Sequence, residues 1–361
     1  EGYLAEAYYL RSMCYFYLVK TFRDVPFILE PYSTDGQDFN IEKSPEQDII
    51  DQLIIDLNSI TGMAFKQDYF STVEQQKGRV NINAVYALLA DIYLWNNDYQ
   101  NCIEACDRIS NVYLVNGEDY FDIYAQSGNS LESIFELQFD YNEYETTNSL
   151  YELTSNNSRG DKEFMVSEYL MGLYTLDDLR QTSEEGFYVT YNPDNFGIWK
   201  YEGNSPYDRT DLYAINRTSY DSDANWIFYR LSDIQLMKAE AYAEQDDFTN
   251  ALKELNEIKR RAGIDEYLDA TDKKKLLLEI LDERGRELVG EGKRWYDLVR
   301  VTRRDQANRL TFISDAVISN VDPRSRTAAA TKIKDYDSWF LPVYYEELIL
   351  NNKLEQNPFY E

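Results

Sequence analysis

Residues 81–109, NINAVYALLADIYLWNNDYQNCIEACDRI, decide the fold. Ala84, Leu88, Ile92 and Trp95 recur at helical spacing. The polar run Asn96-Asn97-Asp98 interrupts them, and Cys102, Ile103, Ala105, Cys106 and Ile109 restore an apolar face. Steps of three and four put each set on one side of a helix, so the stretch predicts a helical hairpin. Sliding the sequence by 149 positions lays a second hairpin over the first. Ala239, Tyr242, Asp247, Asn250 and Ile258 fall on Ala90, Tyr93, Asp98, Asn101 and Ile109, with Phe248 over Tyr99 and Leu252 over Ile103. A small alanine lets two helices approach, an aromatic wedges the pair, and a polar turn reverses the chain. That is the logic of a tetratricopeptide-type repeat. The competing reading is two unrelated hairpins.

Outward from this pair the chain stays helical. Leu4 to Phe22 carries an apolar face and stops at Phe22-Arg23-Asp24-Val25-Pro26, because proline disfavours helix in the residue before it. Ser44-Pro45-Glu46-Gln47 reads as a capped helix start, with Ser44 as the cap and Ile49, Leu53, Leu57 and Ile60 behind it. Asp272 to Val301 reads as one long helix with a break at Gly290 or Gly292, Asp315 to Tyr336 as a loop, and Tyr344 to Leu350 as a short helix. Between the hairpins the chain becomes rich in Asn, Asp, Ser, Gly and Tyr. Residues 133–139 read there as a short strand and residues 163–179 as a helix. An irregular excursion of this length in a helical protein is usually functional. The expected class is mainly α: tetratricopeptide-like helical pairs as scaffold, with a large loop-rich excursion and a few short strands.

Composition excludes several chemistries. The 361 residues hold 36 basic and 65 acidic side chains, a formal charge of −29, which repels phosphate backbones and argues against nucleic-acid binding. There is no histidine, so no Ser-His-Asp triad and no His-ligated metal, and three cysteines cannot form a four-thiolate site. Cys14, Cys102 and Cys106 lie in apolar helical settings and read as buried thiols. No run of about eighteen apolar residues is present. The chain enters helical periodicity almost at Glu1 with no leader ahead of it, as if it began inside a fold.

Several blocks together resemble the SusD/RagB-like outer-membrane lipoproteins. They are residues 6–18 followed by Phe22-Arg23-Asp24-Val25-Pro26, Gly78-Arg79, residues 229–241, residues 283–300 (ERGRELVGEGKRWYDLVR), and the close from Leu341-Pro342 to Pro358-Phe359-Tyr360. The resemblance implies one SusD-like domain over 1–361, with helical scaffold at 1–112 and 229–361 and a variable ligand face at 113–228. It implies a non-catalytic, surface-exposed, lipid-anchored protein of the outer membrane. Such a protein lids a SusC-like TonB-dependent transporter and passes it oligosaccharides or, in some members, oligopeptides. The family carries its lipid-attached cysteine and roughly a hundred further residues ahead of the equivalent of Glu1; the anchor is therefore not in this chain, and part of the ligand site belongs to that portion. No cofactor or metal is implied.

The candidate site residues come from the excursion. Sugars present apolar C–H faces ringed by hydroxyls, and flat aromatic rings with Asn and Arg hydrogen bonds meet them. Tyr141, Tyr144, Asn148, Tyr151, Asn157, Arg159, Tyr207 and Trp226 have this composition. For each alone, surface or packing is the simpler explanation. Trp199-Lys200-Tyr201 reads as framework instead. Asp221-Ser222-Asp223 reads as a turn, since no calcium-loop spacing surrounds it. The dense Glu283–Arg300 block invites an acid/base reading, but its three- and four-residue spacing also makes helix-surface ion pairs, with Trp295 in the core. With so many acids, Glu184-Glu185 and Glu346-Glu347 read as solvated faces, and no glycosidase pair stands out.

Overall fold

The computed structural model describes residues 1–34, 36–124, 128–140, 145–154, 164–182, 189–190, 197–202, 217–218 and 222–361. The protein is mainly helical with short strands, and it divides into two compact units: Glu1–Ala64 with Leu298–Glu361, and Phe65–Asp297.

In the Phe65–Asp297 unit the two hairpins form as their sequences dictate, as Ile82–Trp95 with Tyr99–Asp107 and as Leu231–Glu244 with Phe248–Arg261. Their turns share backbone conformation and hydrogen bonds. Asn97 and Asp246 both adopt positive φ, 62° and 63°, in the left-handed region that Asn and Asp tolerate. Asp98 N donates to the Tyr93 carbonyl at 2.9 Å, and Asp247 N to the Tyr242 carbonyl at 2.9 Å. Asp98 and Asp247 then cap the second helices, accepting from Asn101 N at 3.3 Å and Asn250 N at 3.2 Å. Helix Leu231–Glu244 is the centre of the stack. It packs against its own hairpin partner, against Tyr99–Asp107 and against the following helix Lys273–Glu287. Alanines 239, 241 and 243 are fully buried in it, which permits close approach on more than one side.

The excursion is closed at its root by an antiparallel pair, Ser133–Leu137 with Trp226–Arg230. Gln181–Thr182, Val189–Thr190 and Gly197–Ile198 form a small mixed sheet within it. Tyr120, Ile123, Tyr124, Tyr174, Ile198, Tyr201 and Ile227 build a second apolar cluster there. The expected helix over 163–179 is one turn, Glu168–Met171. Ser167 Oγ caps it, and beyond Gly172 the chain turns so that the Tyr174 hydroxyl donates to the Arg286 carbonyl at 2.8 Å.

In the other unit, helix Gly2–Phe22 packs on Glu46–Ile60. Ser44 does not cap that helix. Its N–H donates to the Val25 carbonyl at 2.9 Å, and Asp24 Oδ1 accepts from Glu46 N at 2.8 Å instead. The expected loop over 315–336 holds the end of helix Gln306–Asn320 and all of Arg326–Lys332. Cys14 is exposed, unlike the buried Cys102 and Cys106. No helix among the described residues is long and apolar enough to cross a membrane.

Candidate ligand-binding face

The block 283–300 is where charge is concentrated, and it is buried rather than on a helix surface. Helix Lys273–Glu287 ends at Glu287, and Gly290 and Gly292, at φ 78° and 70°, turn the chain into helix Arg294–Arg303. Cations from distant segments converge on this end. Arg180 pairs with Glu283 at 2.6 Å, Glu287 at 2.9 Å and Asp178 at 2.8 Å. Arg230 pairs with Glu132 at 2.7 Å, Glu287 at 2.6 Å and Glu291 at 2.8 Å. Lys200 meets Glu291 at 2.6 Å, and Arg261 bridges Glu132 and Glu287. The helix would otherwise end on orphan carbonyls. Arg230 and Lys200 both donate to the Glu287 carbonyl, at 2.6 and 3.0 Å, where the helix dipole is negative.

Burial opposes ionisation of Glu283, but Arg180 and Arg286 overcome it and hold the carboxyl at about 2. Asp233 is likewise at about 2: burial is outweighed by Lys293 at 3.0 Å and Arg284 at 2.9 Å. Burial also lowers the Lys200 ammonium to about 8, with Glu291 opposing. Burial pushes the Glu136 carboxyl up, against hydrogen bonds that include Asn225 Nδ2 at 2.7 Å. The acid-rich block is thus a clamp that fastens the excursion, through Arg180, Lys200 and Arg230, to the helical stack. Trp295, expected in the core, is 37 % exposed. Among the described residues no group of His, Cys, Asp or Glu is arranged to hold a metal.

The nominated residues fall on both sides of what the structure describes. Tyr141, Tyr144, Asn157, Arg159 and Tyr207 lie outside the described residues, as does Asp221 of the turn considered for calcium. Asn148 is occupied internally. Its Nδ2 donates to the Ala224 carbonyl at 2.8 Å, and its Oδ1 accepts from Leu150 N at 2.9 Å and Ser222 Oγ at 3.0 Å. It fastens segment 145–154 to 222–224. Tyr151 is buried, and its N–H donates to Ser222 Oγ at 3.2 Å. Trp226 is half-buried at the start of its strand, stacked on Tyr201 with centroids 6.1 Å apart, and a Cβ on Gly292 would meet it at 3.3 Å. The structure therefore brings Asn148 and Tyr151 to one support beside Ser222, and Trp226 to the root of the same excursion.

The sequence profile of the SusD family matches residues 140–360, the larger part of the chain. The chain belongs to the SusD family. A second SusD-like profile, described as starch-binding associating with outer membrane, matches residues 3–94. A SusD-like protein of Formosa agariphila is 23 % identical over 345 residues, covering 82 % of this chain and 64 % of that protein. The chain thus spans less than two thirds of that relative's length. Among solved structures, a SusD superfamily protein from Bacteroides thetaiotaomicron superposes with a TM-score of 0.73 at 23 % identity, covering 99 % of this chain and 76 % of that one. A laminarin-binding SusD-like protein superposes with a TM-score of 0.71 at 22 % identity, covering 99 % of this chain and 78 % of that one. At these identities the likeness speaks to the SusD fold alone.

Proposed function

We propose that the chain is the larger part of a non-catalytic, surface-exposed nutrient-binding lipoprotein. It captures oligosaccharides and delivers them to a SusC-like TonB-dependent transporter of the outer membrane. The observation that carries the reading is SusD family membership across residues 140–360, which includes most of the variable excursion. The laminarin-binding neighbour shares the fold and supports a neutral glycan as ligand class. The clamp supports the non-catalytic part. Glu283, Glu287, Glu291 and Asp297 each face a buried cation, and Glu283, Glu287 and Glu291 are held below the usual carboxylate range, so none of those three is poised to donate a proton near neutrality. The proposed ligand contacts are Tyr141, Tyr144, Asn157, Arg159, Tyr207 and Trp226, while Asn148 and Tyr151 hold segment 145–154 to 222–224.

Native gel electrophoresis through immobilised polysaccharides tests the reading. Retardation by at least one neutral glycan, with the sugar recovered at its original length, is the expected result. Uniform mobility in every gel sinks it. Should only basic peptides shift the protein, the oligopeptide role takes its place.

A further inference from the structure

A cleft of about 640 Å³ opens in the Phe65–Asp297 unit, and Asn148, Tyr151 and Trp226 are not among the residues lining it. Val73, Glu74, Asn116, Asp119, Asp122 and Leu131 are among its lining residues, and none of the described residues lining it is lysine or arginine. Its size lies within the range of about 300–1,000 Å³ typical of small-molecule sites.

The walls are fixed in advance. Gly117 passes so close to helix Phe248–Arg261 that a Cβ on it would lie 1.8 Å from the Arg261 carbonyl oxygen. Gly128 sits at φ +75°, where a Cβ would meet Glu136 Oε2 at 2.7 Å. Asn129 N donates to that same oxygen at 3.0 Å, and Asn129 and Gln138 exchange two amide hydrogen bonds of 2.9 Å. Tyr113 N donates to the Leu131 carbonyl at 3.1 Å, and Gln67 Nε2 donates to the Asn111 carbonyl at 3.0 Å. Segments 65–74, 111–123 and 128–131 are thereby tied into one preorganised surface.

Aromatic rings flank the lining in sequence. Tyr113, next to lining residue Leu114, is 60 % exposed; Tyr69 is 61 % exposed and rests its inner face on Phe65 at 4.4 Å. Leu131 is 70 % exposed. The apolar edges of Val73 and Leu131 suit the C–H face of a pyranose, with the open Tyr113 ring one residue before lining residue Leu114, while carboxylate and amide oxygens accept from its hydroxyls. The same carboxylates repel sulfate and uronate groups.

We propose that this cleft is a saccharide site in its own right, selective for neutral sugar units over sulfated or uronate ones. The proposal rests on the glycan-binding reading above.

Calorimetric titration of the protein with neutral and sulfated oligosaccharides of one backbone tests it, together with Leu131→Arg, Tyr113→Ala and Glu74→Lys, all at exposed positions. Leu131→Arg and Tyr113→Ala are each expected to remove one binding event or weaken the neutral ligand about tenfold. Glu74→Lys is expected to narrow the preference for the neutral ligand over the sulfated one. Heat from the unsubstituted protein with unchanged isotherms in Leu131→Arg and Tyr113→Ala overturns the cleft and leaves the function standing. No heat from the unsubstituted protein with any glycan overturns both. Circular dichroism of the variants separates loss of a site from loss of fold.

Discussion

Arg230 donates to Glu132, Glu287 and Glu291 from a position with no solvent access, and its own neighbour Ser232 also accepts from it. Replacing it by Met leaves those carboxylates buried with less countercharge, so Arg230→Met is expected to cost about 3–5 kcal/mol in a urea denaturation experiment. Gly117→Ala should cost at least about 1–3 kcal/mol in the same assay, because the backbone carbonyl of Arg261 cannot step aside for a Cβ. These residues also mark a limit of the sequence. The acids of 283–300 were visible as a charged helix. Their burial was not, because Arg180, Lys200 and Arg230 lie 103, 91 and 57 positions from the acids they meet.

At the scale of elements, the matched turns carry one prediction for both hairpins. Asp98→Ala and Asp247→Ala each remove a helix cap of the same geometry, and each should cost about 1 kcal/mol by chemical denaturation, near-additively in the double variant. The repeat was readable because its signals are local: a left-handed Asn or Asp, a capping Asp, and an Asn three residues on. Where the partner is remote, local signals mislead. Ser44 looked like a cap, but Asp24, 22 residues away, accepts from Glu46 N and leaves Ser44 to a bridge with Val25. The polar stretch 326–332 is helical although it buries none of its residues, so it had no apolar periodicity to betray it. In the excursion, Asn148 has the amide chemistry to bind a sugar, and it spends that ability on Ala224, Leu150 and Ser222. Composition cannot tell a support from a contact.

Across the whole molecule, the clamp makes stability depend on acid. Glu283 ionises at about 2 in the fold against 4.5 in the open chain, and Asp233 at about 2 against 3.8. Glu287 and Glu291 are lowered too: burial opposes them, but Arg230 with Arg261 or Lys200 prevails. The unfolded chain therefore takes up protons first as pH falls. The stability from these groups is complete above about pH 5 and drains away towards pH 2, with Glu283 alone worth about 3 kcal/mol. Glu136, raised by burial, works in the opposite sense and is outnumbered. Thermal melts in low-salt buffers from pH 6 to pH 3 should show a steep fall in Tm over that span, and a flat profile would remove the clamp from the energetics.

Family and scaffold were legible in the sequence because they rest on recurring local blocks. The ligand was not, since nothing in the tyrosine- and asparagine-rich composition of residues 141–159 distinguishes one sugar from another, or a sugar from a peptide. In the proposed function the two meet: a helical frame holds a neutral glycan and leaves its bonds intact. Saturation-transfer difference NMR of the purified chain with neutral oligosaccharides, followed in one sample over a day, tests that claim most directly. Saturation of the sugar ring protons with an unchanged set of anomeric signals is the expected result. Absence of transfer for every neutral oligosaccharide, or growth of new reducing-end anomeric signals, would contradict it.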